Sequence, residues 1–190
     1  MFAKTAEKAV TALIIHGAAD EQRKTVYIWG MTYILDTLFN LALFALIGAL
    51  TGMLAETFVF TAAYIILRIY AGGFHAGTPQ RCCLFSMLLL TGSLFMIASA
   101  EKMGMVLYIM SAAAAAVITV MSLVSSKNKP LDSAEQKNYR RKARLILLAE
   151  ELIAAAMLCF NINRFFYVFA AAWTALALML ILGCVRNAAE

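Results

Sequence analysis

The chain has 190 residues, of which 63% are hydrophobic and 14% are charged. A soluble domain is about half apolar and a quarter charged, so this composition excludes an ordinary soluble protein. The net charge of +5 does not indicate nucleic-acid binding, because the basic residues gather in short loops beside apolar segments, where they attract anionic lipid. We therefore expect a membrane protein with lipid, and not nucleic acid, as a partner.

The first predicted element is an amphipathic helix over residues 1–24. Its apolar residues recur at intervals of three and four, with Lys4 and Glu7 on other faces, a pattern typical of a helix that lies in the membrane interface. A secretory signal is the alternative. The apolar stretch is short, however, and the charged run 20–24 follows it instead of a clean cleavage site.

Six membrane-spanning helices are predicted after this interfacial helix. Each is a continuous apolar run near the length of about 20 residues that crosses roughly 30 Å of hydrocarbon. Because the runs are continuous, they lack the alternation of a membrane barrel. The fold class is therefore predicted to be all-α and polytopic. The predicted spans are 26–49, 52–71, 84–100, 104–124, 144–161 and 165–185.

No stretch is polar enough to form a separate soluble domain, so residues 1–190 are predicted to form one membrane-embedded domain. The only long polar connection is the basic loop 125–143. With a cytoplasmic N-terminus, Lys102 and Arg164 are the only two of the 16 lysines and arginines on the outer side. This bias predicts a multi-pass cell-membrane protein whose termini and basic loop are cytoplasmic.

Between the second and third predicted spans lies the polar segment 68–83. It contains Gly72, Gly73 and Gly77, followed by Pro79, and these residues interrupt a helix. A re-entrant or broken segment is therefore predicted between the two spans, on the cytoplasmic side. Non-helical backbone at this depth is tolerated only where protein or water covers it, which predicts a polar recess.

The same segment carries a candidate base and nucleophile, His75 and Cys82, seven positions apart. Thr78 and Pro79 are typical of the N-cap and first residue of a helix, which places Cys82 at the end of the first turn. There the helix dipole, Arg81 and an imidazole would each favour the thiolate. Such a pair suits thiol catalysis, although from the chemistry alone a non-catalytic interfacial histidine remains an alternative.

Segment 68–83 reads Arg68-x-x-Ala71-Gly72-Gly73-Phe74-His75-Ala76-x-Thr78, with Cys82 after it. This run resembles the signature of the accessory gene regulator B (AgrB) family. The chain length, the six predicted spans and the basic loop containing Lys129-Pro130 resemble that family as well. The resemblance covers nearly the whole chain, and the run in segment 68–83 is its specific part.

The resemblance implies a membrane-embedded cysteine endopeptidase of Gram-positive quorum sensing. Such proteins remove the C-terminal part of a small amphipathic AgrD-like propeptide and help to close the remainder into a thiolactone or lactone ring. His75 and Cys82 fall on the catalytic positions, and Arg68 and Gly73 match positions tied to activity. Gly72 joins them as a supporting residue. No cofactor or metal is implied, and similar proteins are thought to form homodimers.

The implied reaction passes through a thioester between Cys82 and the propeptide, with His75 moving the proton. A propeptide thiol then displaces Cys82 and closes the ring. Cys83 departs from the family pattern and places a second thiol beside Cys82; spacing favours Cys82 as the nucleophile.

The alternative function is a small membrane transporter or peptide exporter without proteolytic activity. The broken segment would then be a substrate site, with Asp36 and Glu150 as coupling-ion groups. No inverted repeat between the halves of the chain supports this reading. In the peptidase reading, Asp36 would pair with Arg68, orient His75 or form a polar clasp between helices. Glu150 would pair with an arginine such as Arg144 or receive charges of the propeptide. A passive scaffold explains the spans but leaves segment 68–83 unexplained.

Overall fold

The computed structural model describes residues 2–74, 77–122 and 133–189. In these ranges the fold is all-helical, as predicted, with a 3-10 turn at Glu21–Arg23 before the second helix. The seven helices are α1 (Ala3–Ile15), α2 (Lys24–Leu50), α3 (Leu54–Ala71), α4 (Pro79–Met103), α5 (Met105–Met121), α6 (Ser133–Cys159) and α7 (Asn163–Ala189).

Each of the six predicted spans falls on one of the helices α2 to α7. Four segments of the described chain are long and apolar enough to cross a membrane: Glu21–Leu50, Leu54–Ala71, Pro79–Met103 and Asn163–Arg186. Helix α5 is apolar but shorter, and the first half of α6 is strongly charged. The chain is therefore a membrane protein by its apolar helices, while the count of six crossings stays a prediction.

The basic loop predicted at 125–143 differs from the structure in its second half. Residues 133–143 form the start of α6, and residues 123–132 lie outside the described part. The helical start has a physical reason: Tyr139, Ala143 and Leu147 follow each other at four-residue spacing and form an inward face. Ala143 and Leu147 are buried in the core.

Helix α1 packs along α2. Its Ala6 and Val10 are buried, and the rings of Phe2 and Phe39 meet edge to face at 5.5 Å. Because α1 ends close to the start of α2 in sequence, this contact means that α1 runs back along its neighbour. The amphipathic pattern of α1 is thus used for packing, and its position in the membrane interface stays a prediction.

Helix α7 is the central element of the bundle and contacts α3, α4, α5 and α6. In its most apolar window 67% of the residues are buried, against 6% in the window of α2. The run Ala170–Ala172 is buried against the other helices, and small side chains such as these let helices approach closely. A segment that binds to α7 is therefore positioned by a helix that four other helices hold in place.

Gly48 is required by the close approach of α2 and α3. A Cβ at this position would lie 2.6 Å from Oγ1 of Thr57 and 3.2 Å from Cα of Leu54. We expect Gly48→Ala to lower the free energy of unfolding by about 1–3 kcal/mol, the usual cost of overpacking, as measured by thermal unfolding in detergent. Gly30→Ala is the control on the same helix, because nothing lies within 4 Å of its Cβ. Equal destabilisation by both changes would show that the contact is unimportant.

Candidate functional site

Helix α3 ends at two glycines whose backbone is not accessible to most residues. Gly72 has a φ of +80° and Gly73 a φ of +129°, values that glycine adopts readily and other residues rarely do. A Cβ on Gly73 would meet Met179 at 3.5 Å, an ordinary contact, so it is the conformation and not the space that favours glycine there. The predicted break between α3 and α4 is thus present, while a re-entrant path is not established.

Arg68 connects the last turn of α3 to the chain beyond the glycines. Its Nη2 donates to the carbonyl oxygen of Phe74 at 2.6 Å, and its Nη1 donates to the hydroxyl of Tyr64. The guanidinium also lies over the Tyr64 ring, 5.5 Å from the centroid. A half-buried arginine with these partners fixes the chain immediately before residue 75.

Phe74 is held from the opposite side by α7. Its N–H donates to the carbonyl oxygen of Met179 at 2.9 Å, and the guanidinium of Arg186 lies 5.5 Å from the centroid of its ring. The ring also meets Phe85 of α4 edge to face at 5.5 Å. Both main-chain polar groups of this residue are therefore satisfied, by α3 on one side and by the central helix on the other.

Helix α4 begins as the sequence predicts. Thr78 is the N-cap, and its Oγ1 accepts from the N–H of Arg81 at 3.4 Å; Pro79 occupies the first helical turn. The N–H of Cys82 donates to the carbonyl oxygen of Thr78 at 3.0 Å. Cys82 consequently lies at the end of the first turn, near the positive end of the helix dipole.

The two neighbouring thiols have different surroundings, although both are free and half-buried. Cys82 lies near Tyr64, whose hydroxyl accepts a hydrogen bond from Arg68. Cys83 lies near the Cys82 thiol and also near Asp36 of α2. The two thiols are thus close to each other, with Cys82 on the Tyr64 side and Cys83 on the α2 side. His75, the predicted base, lies outside the described residues, so its distance to either thiol stays a prediction.

Asp36 lies beside a cavity of about 390 Å³ between α1, α2 and the start of α4. The side-chain amide of Asn40 donates to the main-chain oxygen of Asp36 at 2.8 Å, which places both on one face of α2. Asp36 also interacts electrostatically with Cys83, while each role predicted for it stays a prediction. The lining residues are Ala3, Ile28, Trp29, Thr32, Tyr33, Asp36 and Pro79.

Glu150 does not form the predicted ion pair with an arginine. It is buried between α6 and α7, where its carboxylate accepts a hydrogen bond from Nε1 of Trp173 at 2.9 Å. Arg144, one of the expected partners, instead donates to the carbonyl oxygen of Thr119 at the end of α5. The sequence shows how deep Glu150 lies along its helix, but not which neighbouring helix it faces.

Two further connections to α7 were not predicted from the sequence. One is the bond between Phe74 and Met179, which joins main-chain atoms and leaves no side-chain signal. The other is the ion pair of Glu56 with Arg164, which ties α3 to α7 at the end away from the break. In the part of the chain that the structure describes, no three His, Cys, Asp or Glu side chains are placed to share a metal ion.

Comparison with known proteins supports a single family. The sequence model described as "Accessory gene regulator B" matches residues 6–187. An AgrB-like protein of Clostridium perfringens (strain SM101 / Type A) is 25% identical over 157 residues, which cover 76% of this chain and 72% of that protein.

AgrB-like protein 2 of Clostridium perfringens (strain 13 / Type A) is 24% identical over 139 residues, covering 68% of this chain and 64% of the relative. No solved structure matches the chain.

Proposed function

The chain belongs to the accessory gene regulator B family, and we propose that it is a membrane cysteine endopeptidase that matures a small signalling propeptide. Family membership gives it a role in the accessory gene regulator system. The proposal adds the chemistry: His75 as general base and acid, Cys82 as nucleophile, and an AgrD-like propeptide as substrate.

The observation that carries the proposal is the double anchoring of Phe74. Arg68 holds its carbonyl group and Met179 holds its N–H, so the chain enters residue 75 from a fixed point. Cys82 stands at the start of a capped helix on the other side of the same short break. A catalytic pair needs this kind of support, because small displacements of reacting groups are costly in rate.

The proposed reaction begins with attack of the Cys82 sulfur on a propeptide carbonyl carbon. His75 takes the thiol proton and delivers it to the departing amine as the C–N bond breaks. The N-terminal part of the propeptide is then bound to Cys82 as a thioester. A thiol within that part attacks the same carbonyl, forms the ring thioester and releases the Cys82 sulfur, so one thioester replaces another and no ATP is needed.

The supporting residues act on this reaction through the backbone. Arg68 positions the carbonyl group that precedes His75, and Gly72 and Gly73 provide the turn that brings this carbonyl within its reach. Exclusion of water from the site would favour ring closure over hydrolysis of the thioester.

The proposed setting is the cytoplasmic face of the cell membrane, with residues 1–190 as one domain and both termini on that face. A propeptide with an amphipathic helix would reach the site along the membrane surface. A homodimer is part of this proposal, in line with the expectation for similar proteins.

The proposed function is tested by trapping the thioester. The purified chain is placed in lipid vesicles with the propeptide encoded beside it, and the mass of the intact chain is followed with time. We expect an increase equal to the N-terminal propeptide fragment, which hydroxylamine removes. Uncut propeptide that accumulates inside the vesicles, with no adduct, would support the exporter instead.

A further inference from the structure

The first half of α6 carries an open groove that the proposed peptidase chemistry does not use. Its volume is about 620 Å³. We call it the α6 groove. It is lined by Gln136, Lys137, Arg140, Arg141, Arg144, Leu145 and Leu148.

The α6 groove is a single stripe whose polarity changes along the helix. Its lining positions recur at intervals of three and four, so they share one face of α6. The stripe is cationic from Lys137 to Arg144 and apolar at Leu145 and Leu148. The distance from Arg140 to Leu148 is about 12 Å along the helix axis. A groove that is charged at one end and apolar at the other matches a ligand that has a charged head and an apolar tail.

The apolar end of the groove faces outward. The exposed fractions of Leu145 and Leu148 are 54% and 52%, although both belong to the apolar part of α6 that is predicted to enter the membrane. Leu147, which lies between them in the sequence and faces inward, is buried in the bundle. The two exposed leucines therefore offer a surface to lipid chains.

The cationic end of the groove has no carboxylate partner among the residues that the structure describes. Within the described residues, no carboxylate forms an ion pair with Lys137, Arg140 or Arg141, and all three are exposed. Like charges at three- and four-residue spacing repel each other. A bound anion would relieve this repulsion.

The neighbouring cations are already engaged and give the groove a fixed wall. Arg144 donates from Nε and Nη2 to the carbonyl oxygen of Thr119, at 3.2 and 3.1 Å, and so ties α6 to the end of α5. Lys142 points to another side, with its Nζ 5.4 Å from the centroid of the Tyr70 ring. The α6 side of the groove is thus held in place by contacts with α5 and α3 that need no ligand.

We propose that the α6 groove binds one anionic glycerophospholipid. The phosphate lies among Lys137, Arg140 and Arg141, and an acyl chain follows Leu145 and Leu148 into the membrane. Basic pockets beside membrane helices commonly hold such head groups. The exposed leucines next to the basic residues favour a lipid as the ligand. An acidic peptide would use the basic residues but would not need the leucines.

The test measures lipid retained by the full-length purified chain in detergent, by native mass spectrometry. Phosphatidylglycerol and phosphatidylcholine with the same acyl chains are compared. We expect one tightly held phosphatidylglycerol and no comparable phosphatidylcholine. The double change Arg140→Gln with Arg141→Gln should weaken phosphatidylglycerol binding by about tenfold or more. Both arginines are exposed, and unchanged helicity by circular dichroism checks that the variant folds.

The control is Lys4→Gln with Lys8→Gln on α1, which removes the same charge from two exposed residues of another helix. It should leave phosphatidylglycerol binding unchanged. Displacement of the lipid by inorganic phosphate alone, or equal retention of phosphatidylcholine, would overturn the proposal. So would equal weakening in the control. Binding of a polyglutamate peptide without any lipid selectivity would assign the groove to an acidic peptide instead.

Discussion

Cys82→Ala is expected to abolish propeptide cleavage in a protein that folds normally. Loss of the nucleophile removes the covalent route altogether, and in a well-studied protease such a loss lowers kcat by about 10⁶-fold. Cys82 is only half-buried, so replacing its sulfur by hydrogen has a small effect on packing. The measurement is the rate at which propeptide fragments appear when the variant is reconstituted in lipid vesicles, with mass spectrometry to detect an adduct.

Cys83→Ala is the matched control for this change. The two cysteines are adjacent, free and half-buried. Cys82 is the one that interacts with the side chain of Tyr64, whose hydroxyl accepts a hydrogen bond from Arg68. We therefore expect Cys83→Ala to cleave at close to the parental rate and to form the same adduct. The opposite result, cleavage without Cys82 and none without Cys83, would move the nucleophile by one residue and would contradict the proposed site.

His75→Gln is expected to lower the rate of adduct formation by about 10²–10⁴-fold, the usual contribution of a positioned acid or base. Glutamine can form hydrogen bonds but cannot carry the proton from the thiol to the leaving amine. Single-turnover kinetics with excess enzyme measure this step without interference from product release.

His16→Gln is the control, because His16 is the other histidine of the chain. Its Nδ1 bonds the carbonyl oxygen of Ala12 at 2.7 Å, at the end of α1, which is unrelated to the break between α3 and α4. Its replacement should leave the rate unchanged. Parental kinetics in His75→Gln would remove the imidazole from the mechanism and leave Cys82 to be activated in some other way.

Local features of the site could be predicted from the sequence because their causes are local. Gly72 and Gly73 end a helix by their own backbone preference, and Thr78 with Pro79 starts one by the same kind of short-range chemistry. The structure has both features where the sequence places them. The family signature could be recognised for the same reason, since it lies within this short segment.

Features that depend on the choice of a distant partner could not be predicted. Phe74 and Met179 are more than a hundred residues apart, and their bond joins main-chain atoms that every residue has. The partner of Glu150 was predicted to be an arginine because its depth and charge suggested one. Only the packing of α6 against α7 reveals that the indole of Trp173 faces it instead. Hydrophobic periodicity indicates an inward face, but not the helix that covers it.

The number of membrane crossings was hard to predict for another reason. Composition identifies apolar runs, but α5 has 17 residues and α6 begins with a charged section that continues into an apolar one. The helix is continuous through Ser133–Cys159. A tertiary contact supports its polar half, because Tyr139 packs against Tyr70 of α3 with ring centroids 5.7 Å apart. The polar half of α6 is therefore held by its contact with α3 as well as by its helix-forming residues.

The anchoring of Phe74 has a consequence for how homologues diverge. Because α7 and Arg68 bind its peptide groups, the two hydrogen bonds of the anchor do not require particular side chains at positions 74 and 179. Drift at these two positions is then compatible with a preserved geometry, whereas loss of the guanidinium at position 68 is not. A search for distant members should accordingly give weight to the arginine and the glycine pair, and tolerate variety at the residue they hold.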